Sequence, residues 1–539
     1  MATTPSIAMI PSGYKDEKVY SVLPTNGDGD FTFARTSTAT RVNNNGLIEE
    51  VAANVPRLDY SDGACPSLLL EPTSTNLIQY SEAFGRSYWA KSGSSVQGDP
   101  STAGTEQVTN GDFATDSDWT KGTGWSIGGG VASCDGTQTA YSVLKQSGAV
   151  PINTNYKLVF TATITSGNIL PSVGGSNGQG AISTTGTYTF YTIASTGDND
   201  LYFGASSDFV GTIDNVSVKE VQGFVSPSGT TSAFKLVEGA SNGEHFIQTT
   251  SLTVADDKYS FTLFAKAGGN SKLRVRGENY FNNVTGADFD LTAKTATNLS
   301  EGENAKIVEM SNGWFKCTFT SLSNGIVGNS GHFGIYLLDD NGDVSWLGDG
   351  TNGVYIFGAQ FEQQSYATSY IKNEGDANGI TRAADSATGS GDSTVINSSE
   401  GVLYAEISAL ANDSVNRLIS LSNSVLSDNR IELWLDSTSN RIRVRTEVNN
   451  ATSIDILSTI TDATAINKCG VRWDSTSISL FINGALIETK TSTQFNANIL
   501  SELKFSNYGG ALPFYGKVKD VRVYTTALED SELETLTTI

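Results

Sequence analysis

Two short runs in the last third of the chain place an apolar residue at every second position, and no other feature constrains the fold as strongly. In IELWLD (431–436) and RIRVR (441–445) every second residue is apolar, which is the period of a half-buried β-strand. The four residues STSN between them suit a hairpin loop. A register with both apolar sets on one face also pairs Glu432 with Arg445, Trp434 with Arg443 and Asp436 with Arg441. The sequence therefore predicts an antiparallel hairpin here.

The rest of the chain is rich in turn-forming residues and carries no long helical period. Of 539 residues, 38% are hydrophobic and only 17% charged, while Gly reaches 55. Ser, Thr, Asn and Gly favour turns and strand edges over helix interiors. A chain of this length exceeds one hydrophobic core, so about three or four domains are expected. The predicted fold class is all-β, built from several antiparallel β-sandwiches.

The net charge excludes two classes of partner. The formal charge is 34 − 57 = −23, and so acidic a surface repels phosphate backbones and anionic lipid headgroups. We therefore expect no nucleic-acid partner and no membrane partner. The first twenty residues lack a basic region followed by an apolar run, so we expect no signal peptide and assembly in a cytoplasm.

The N-terminal block contains a long, ordered match to a known module. The segment from SVLPTNGDGDFTFARTSTATRVNNNGLIEEVAANVPRLDY to SLLLEPTSTNLIQYSEAF resembles a module of phage tail and head-fibre proteins. The resemblance implies a location in the virion and contacts with other virion proteins. We assign residues 1–75 to this N-terminal virion-attachment module.

Two jelly-rolls are predicted to follow, one inserted in the other. The run NLIQYSEAF…YWAKSG resembles the first strand of a jelly-roll whose continuation arrives only at residue 224. Between them, VTNGDFATDSDW and TIDNVSVKEV resemble the two ends of a carbohydrate-binding-module jelly-roll. We therefore predict a discontinuous jelly-roll at 76–104 and 223–372, an inserted jelly-roll at 105–222, and a linker at 373–400.

The last domain, 401–539, resembles laminin-G-like and concanavalin A-like lectin sandwiches. The ending FYGKVKDVRVYTTALEDSELETL carries the resemblance, which implies a final strand followed by a short helix near 528–536. A second hairpin is predicted to turn at Asn483-Gly484. Many proteins use this fold as a purely structural module.

Motifs of catalysis are absent from the sequence. The two histidines lie far apart, and neither a GxSxG elbow nor a phosphate-binding GxxxxGK[ST] loop occurs. Glycoside hydrolysis needs only two carboxylates, and the nearest pair, Glu432 and Asp436, faces arginines in the predicted register. We expect a non-enzymatic protein, with a polysaccharide depolymerase as the alternative.

One acidic loop is a candidate Ca²⁺ site. Asp339, Asn341 and Asp343 offer oxygen ligands at alternate positions of a Gly-containing loop, and hard oxygen ligands suit Ca²⁺. Such an ion would have a structural role. Asp, Asn and Gly also build ordinary turns, and that interpretation stays open. The four separated cysteines predict buried free thiols.

Sugar binding requires exposed aromatic faces beside hydrogen-bonding groups. Trp119 and Trp125, in the polar run DSDWTKGTGWS, are the first candidates for a carbohydrate-binding site, and Trp434 is the second. Each has an alternative: Trp125 would plug one end of the inserted jelly-roll, and Trp434 would cover the stem of Arg443.

Together these features predict a phage virion structural protein of the fibre, spike or decoration kind. Its sandwiches would project outward and adhere to host-surface glycans, and the resemblance implies a homotrimer. The alternatives are a polysaccharide depolymerase and a bacterial carbohydrate-binding adhesin, the latter requiring an export route.

Overall fold

The computed structural model describes two compact units. It covers residues 4–539 except 16, 153, 176–179, 195–197, 251, 253, 254, 256, 279–284, 301, 323–330, 424–427, 450, 493 and 508. Unit 1 comprises residues 1–75, 368–371 and 381–539, and unit 2 comprises 76–367 and 372–380. The fold is nearly all β, as predicted, and its strands pair antiparallel. No helix of the described residues is long and apolar enough to span a membrane.

Unit 1 is a β-sandwich with two main sheets. The larger sheet has the strand order Ala485–Thr491, Ser477–Ile482, Asn467–Trp473, Gly401–Ala409, Gly516–Tyr524, Ser67–Leu70 and Arg57–Asp59, and Ile7–Met9 also pairs with Gly516–Tyr524. The facing sheet has the order Ala451–Thr459, Arg441–Val448, Asn429–Leu435, Arg417–Ser422 and Glu502–Lys504. Two smaller sheets contain Tyr14–Lys15, Lys18–Val19, Phe31–Ala34 and Ser386–Thr388, and Ala39–Val42 with Ile48–Val51.

Strands from both ends of the chain share the core of unit 1. Ile7 and Phe31 from the N-terminal block are buried with Ile396 and with the residues of the C-terminal sheets. This arrangement differs from the predicted separate module at 1–75 and linker at 373–400. The stretch 373–400 is poor in apolar residues, which favours a linker, yet its strand Ser386–Thr388 pairs with Phe31–Ala34. Pairing with a distant strand supplies the order that local composition does not predict.

Five charged side chains form a buried cluster in unit 1. Arg35 Nη1 lies 3.0 Å from an Asp385 oxygen, and Arg57 Nη1 lies 2.6 Å from a Glu71 oxygen. Arg57 also pairs with Asp385, and Arg382 lies 3.5 Å from Glu71. All five side chains are at most 3% exposed. Three arginines and two carboxylates therefore meet out of contact with water.

Hydrogen bonds from the backbone complete this cluster. The Glu71 N–H donates to Asp385 at 2.8 Å, and the Ser369 N–H donates to Glu71 at 2.8 Å. Burial alone would raise the pKa of Glu71, but Arg382 and Arg57 outweigh it and hold that pKa well below its ordinary range. The cluster thus ties together segments that lie more than three hundred residues apart.

The predicted hairpin register in the facing sheet is confirmed. Glu432 lies opposite Arg445, Trp434 opposite Arg443, and the Asp436 N–H donates to the Arg441 carbonyl at 2.9 Å. The second predicted hairpin turns at Asn483-Gly484 as expected. Among the described residues the α-helix is Asp530–Thr537, close to the predicted position.

Unit 2 contains two sandwiches. The first has one sheet ordered Trp89–Ser92, Phe246–Thr249, His332–Leu338, Lys272–Glu278, Thr285–Asp290 and Thr295–Leu299. Its other sheet is ordered Ser94–Gln97, Phe234–Glu238, Gly353–Glu362, Lys258–Ala267, Phe315–Leu322 and Gly302–Glu309. A small two-stranded sheet pairs Asn242–Glu244 with Ser345–Leu347. Strands from 89–97 therefore complete sheets whose other members lie beyond residue 233.

The second sandwich of unit 2 lies within residues 105–222. One sheet is ordered Thr120–Lys121, Ser142–Gln146, Leu201–Ala205 and Ile169–Val173, and we call it the Tyr-face sheet because Tyr141 directly precedes its second strand. The other is ordered Trp125–Gly128, Val131–Cys134, Val210–Glu220, Asn155–Ser166 and Gly186–Ile193.

Short 3₁₀ turns occupy Pro100–Thr102 and Ser311–Gly313, and two short strands, Ser74–Asn76 and Ile380–Arg382, lie where the chain passes between the units.

The four cysteines are free thiols. Cys134, Cys317 and Cys469 are buried, as predicted, whereas Cys65 is exposed. Burial raises the pKa of the Cys469 thiol to about 12, so this thiol stays protonated at neutral pH.

Removing one charge from the buried cluster should destabilise unit 1. We expect Asp385→Asn to lower the free energy of unfolding by about 3–5 kcal/mol, because Arg35 and Arg57 would lose their shared counter-charge. Asp62→Asn is the control, since Asp62 pairs with Lys517 at the surface and should cost less than about 1 kcal/mol. Urea denaturation measures both changes. Equal losses in the two variants would contradict the role of the cluster.

The depressed pKa of Glu71 predicts a loss of stability in acid. A carboxyl whose folded pKa lies below its unfolded value, about 4.3, stabilises the fold fully above that pH. Its contribution is lost as the pH falls further toward the folded pKa. Calorimetric unfolding temperatures of unit 1 between neutral pH and pH ~3 should fall more steeply in the wild-type protein than in Glu71→Gln. Parallel pH profiles would contradict this assignment.

Candidate functional site

Tyr141 is the most exposed aromatic side chain in the described part of the protein. It is 56% exposed, whereas every other aromatic side chain whose burial is described is buried or only partly exposed. The residue lies just before strand Ser142–Gln146 of the Tyr-face sheet. A ring this exposed is accessible to a ligand, so the surface around it is the candidate functional site.

The sheet beneath Tyr141 is shaped to receive its ring. A Cβ atom built on Gly204 would lie 1.6 Å from the Tyr141 hydroxyl oxygen, so the tyrosine covers this glycine directly. Gly204 pairs with Val143 on one side and with Leu170 on the other. Because Leu144 and Phe203 point into the core, their neighbours along each strand face outward. The site is thus a tyrosine lying on the outer face of the sheet.

Polar groups lie beside the ring. Tyr202 is directly opposite Lys145 in the Tyr-face sheet, and Lys145 Nζ lies 2.8 Å from an Asp200 oxygen. The hydrogen bond with Asp200 raises the pKa of Lys145 and lowers that of Asp200. Partial burial raises the pKa of Tyr141, and the nearby Tyr202 adds to the effect. Both members of the ion pair are therefore charged at neutral pH, and Tyr141 keeps its proton.

This combination of groups can bind a sugar. The C–H face of a pyranose stacks on an aromatic ring, while its hydroxyls take hydrogen bonds from neighbouring polar side chains. Lys145 is a donor, Asp200 an acceptor and the tyrosine hydroxyls are both.

The two tryptophans predicted to bind sugar from the inserted sandwich are buried. Trp119 is 6% exposed and Trp125 is 7% exposed. Trp119 packs against Phe113 at 5.2 Å between ring centroids and donates its indole N–H to the Asn110 carbonyl at 3.1 Å. Trp125 packs against Phe209 at 6.0 Å. With these rings covered, the prediction of a sugar-stacking role for the pair is not supported, and Trp125 takes its alternative, packing role.

Trp434 is likewise covered. It is 7% exposed, and its indole N–H donates to Glu432 at 3.2 Å. The Arg443 guanidinium lies 5.6 Å from the ring centroid. The strand pattern predicts the outward direction of this side chain correctly. The ring is nevertheless covered, because Arg443 lies over it as the cation–π alternative requires.

The loop with Asp339, Asn341 and Asp343 is folded as a turn. The Asp339 carboxylate accepts the backbone N–H groups of Asn341 at 2.9 Å and Asp343 at 2.8 Å, and the Asn341 amide at 3.0 Å. Desolvation alone would raise the pKa of Asp339, but these hydrogen bonds hold that pKa below its usual value. Among the described residues no group of three or more His, Cys, Asp or Glu side chains is arranged to hold a metal ion. The ordinary turn therefore explains these residues.

The carboxylates nearest to a hydrolase pair are also engaged. Glu432 lies 2.9 Å from Arg430, and Asp436 lies 2.6 Å from Arg441. Burial raises the pKa of Glu432, and Arg430 and Arg445 partly offset that rise. Both carboxylates are 3% exposed and form ion pairs with arginines of the same sheet.

Comparison with known proteins identifies one segment of the chain. The profile of the concanavalin A-like lectin/glucanases superfamily matches residues 403–534. No curated protein sequence matches the chain. The C-terminal part of unit 1 is therefore a concanavalin A-like sandwich.

Several solved structures are similar to part of the chain. The CBM40 of a Ruminococcus gnavus IT-sialidase, bound to α2,3-sialyllactose, is 19% identical, with 27% of this chain and 85% of that chain covered and a TM-score of 0.24. Domain 4 of a GH43 arabinanase from Geobacillus stearothermophilus, in complex with arabinotriose, is 15% identical, with 29% and 73% covered and a TM-score of 0.24. A heptameric SAP-like pentraxin from Limulus polyphemus is 12% identical, with 26% and 71% covered and a TM-score of 0.23.

Truncation of a buried tryptophan should affect stability. We expect Trp119→Ala to lower the free energy of unfolding of unit 2 by about 3–5 kcal/mol, because it leaves a cavity beside Phe113 and Phe203. Tyr141→Ala is the matched control and should cost less than about 1 kcal/mol, since its ring is largely exposed. Denaturant unfolding distinguishes the two. A mild effect of Trp119→Ala would contradict its place in the core.

Proposed function

We propose that this chain is a non-catalytic virion structural protein that adheres to host-surface glycans through the Tyr141 surface. The observation that carries the proposal is the exposed ring of Tyr141 on the outer face of the Tyr-face sheet, beside the Lys145–Asp200 pair. Exposed aromatic rings flanked by hydrogen-bonding groups are what sugar recognition requires. The concanavalin A-like match at 403–534 is consistent with a protein of this kind.

The virion location rests on the N-terminal resemblance. The motif from SVLPTNGDGDF to LIQYSEAF resembles a phage fibre module. In unit 1 this motif contributes strands to the sheet of the C-terminal sandwich. We propose that unit 1 contacts the other virion proteins, that unit 2 presents the glycan surface, and that the protein is a homotrimer. Size-exclusion chromatography with light scattering tests the last point, and a stable monomer would contradict it.

Removal of the Tyr141 ring should weaken glycan binding. We expect the purified protein to bind members of a broad glycan array, and Tyr141→Ala to reduce that affinity by tenfold or more, because truncating an aromatic anchor of a binding surface costs about 2 kcal/mol or more. Val159→Ala, on the outer face of the opposite sheet of the same sandwich, is the control and should bind like the wild type.

The same array also tests the alternative activity. The proposal predicts binding without release of oligosaccharide, and the same affinity with and without Ca²⁺. Cleavage of a bound glycan would favour a depolymerase instead. Binding that is unchanged in Tyr141→Ala would contradict the proposed surface.

A further inference from the structure

Unit 1 contains a polar cleft that the proposed glycan surface does not use. The cleft has a volume of about 520 Å³, which lies in the range of small-molecule sites. It is formed around the hairpin of strands Ala39–Val42 and Ile48–Val51. The side chains that matter for its chemistry are Arg41, Asn43, Asn44, Asn45, Glu49 and Tyr60.

Hydrogen bonds hold the walls of the cleft in place. Arg41 and Glu49 are opposite each other in the hairpin, and Arg41 Nε lies 2.9 Å from Glu49 Oε2. Asn43 Oδ1 accepts the backbone N–H groups of Asn45 at 2.9 Å and Leu47 at 3.1 Å, which fixes the turn. The cleft is therefore built by the fold of the hairpin before any ligand arrives.

One wall residue has no structural task. The Asn44 side chain is exposed and makes no hydrogen bond with any described residue. Its amide offers two donors and one acceptor to a ligand. Asn44 is therefore suited both to recognition and to mutation without harm to the fold.

The charge and hydrogen-bonding groups of the lining residues indicate the chemical class of the ligand. Arg41 and Glu49 neutralise each other, so the cleft has no excess charge to attract an ion. Planar amide, guanidinium and carboxylate groups hydrogen-bond in pairs, which matches the adjacent hydroxyls of a sugar. Tyr60 adds an aromatic ring. The apolar lining residue, Leu58, is 5% exposed, so a peptide would find no apolar pocket for an anchoring side chain.

From this geometry we infer that the cleft between Asn43–Asn45 and Tyr60 is a second binding site, and that its ligand is a neutral saccharide. The site is separate from the Tyr141 surface because it belongs to unit 1. The protein then carries two glycan sites on each chain. Two weak sites joined in one molecule raise the overall avidity for a glycan-coated surface.

The test uses the full chain and a panel of neutral oligosaccharides of glucose, galactose, mannose and N-acetylglucosamine. Calorimetric titration is performed on the wild type, on Tyr141→Ala, and on Tyr141→Ala combined with Asn44→Ala. We expect binding that survives Tyr141→Ala and weakens roughly fivefold or more on addition of Asn44→Ala, the effect of one or two lost hydrogen bonds. Asn496→Ala, an exposed asparagine outside the cleft, is the matched control and should change nothing.

Each remaining outcome overturns a specific claim. Loss of all binding in Tyr141→Ala alone overturns the cleft as a saccharide site and leaves the proposed function intact. Residual binding that Asn44→Ala and Tyr60→Ala leave unchanged also overturns the cleft. A wild-type protein that binds no panel member overturns the saccharide cleft and leaves a virion protein neighbour as the occupant to test.

Discussion

The architecture of unit 1 depends on one buried network of ion pairs. Arg35, Arg57, Glu71, Arg382 and Asp385 are brought together although they come from distant parts of the chain. A charge buried without its partner destabilises a protein by several kcal/mol. The N-terminal block, which supplies Arg35, Arg57 and Glu71, and the segment that supplies Arg382 and Asp385 therefore stabilise each other. The N-terminal block and the C-terminal sandwich therefore form one unit, and the stretch before residue 400 is an ordered part of it.

Local features of the fold follow from the sequence because they are encoded by neighbours. The hairpin at 431–445 has a period of two on its core face and opposite charges on its outer face, so both signals select one register. The turn at Asn483-Gly484 is predicted in the same way, since Gly484 has the positive φ that glycine tolerates best. These predictions need no knowledge of which sheet the hairpins join.

Long-range association is harder to predict. Residues 373–400 have the composition of a linker, and nothing within them reveals that Ser386–Thr388 pairs with Phe31–Ala34. In the same way, Ile7–Met9 adds to a sheet whose partner strand ends at Tyr524. Such pairings depend on complementarity between segments that are far apart in sequence, and a single sequence does not display it.

The candidate site illustrates the same limit on a smaller scale. The polar run around Trp119 suggests an exposed ring, but Phe113 and Phe203 cover it. Tyr141 shows the reverse case. It precedes an ordinary alternating strand, and its ring fits on the sheet because Gly204 on the neighbouring strand has no side chain. The signal that would have found it is the pairing of Gly204 with Val143, which requires the register of the sheet.

In our proposal, Tyr141 binds glycans in the position that Gly204 leaves open for its ring. The affinity of Gly204→Ala for an oligosaccharide that the wild-type protein binds distinguishes this role of the glycine from a purely structural one. The added methyl group would occupy the position of the Tyr141 hydroxyl and displace a ring that is still present. We predict a loss of affinity as large as that caused by removing the ring, in a protein that remains folded. Unchanged affinity in Gly204→Ala would show that the seat of the ring on this glycine is not needed for binding.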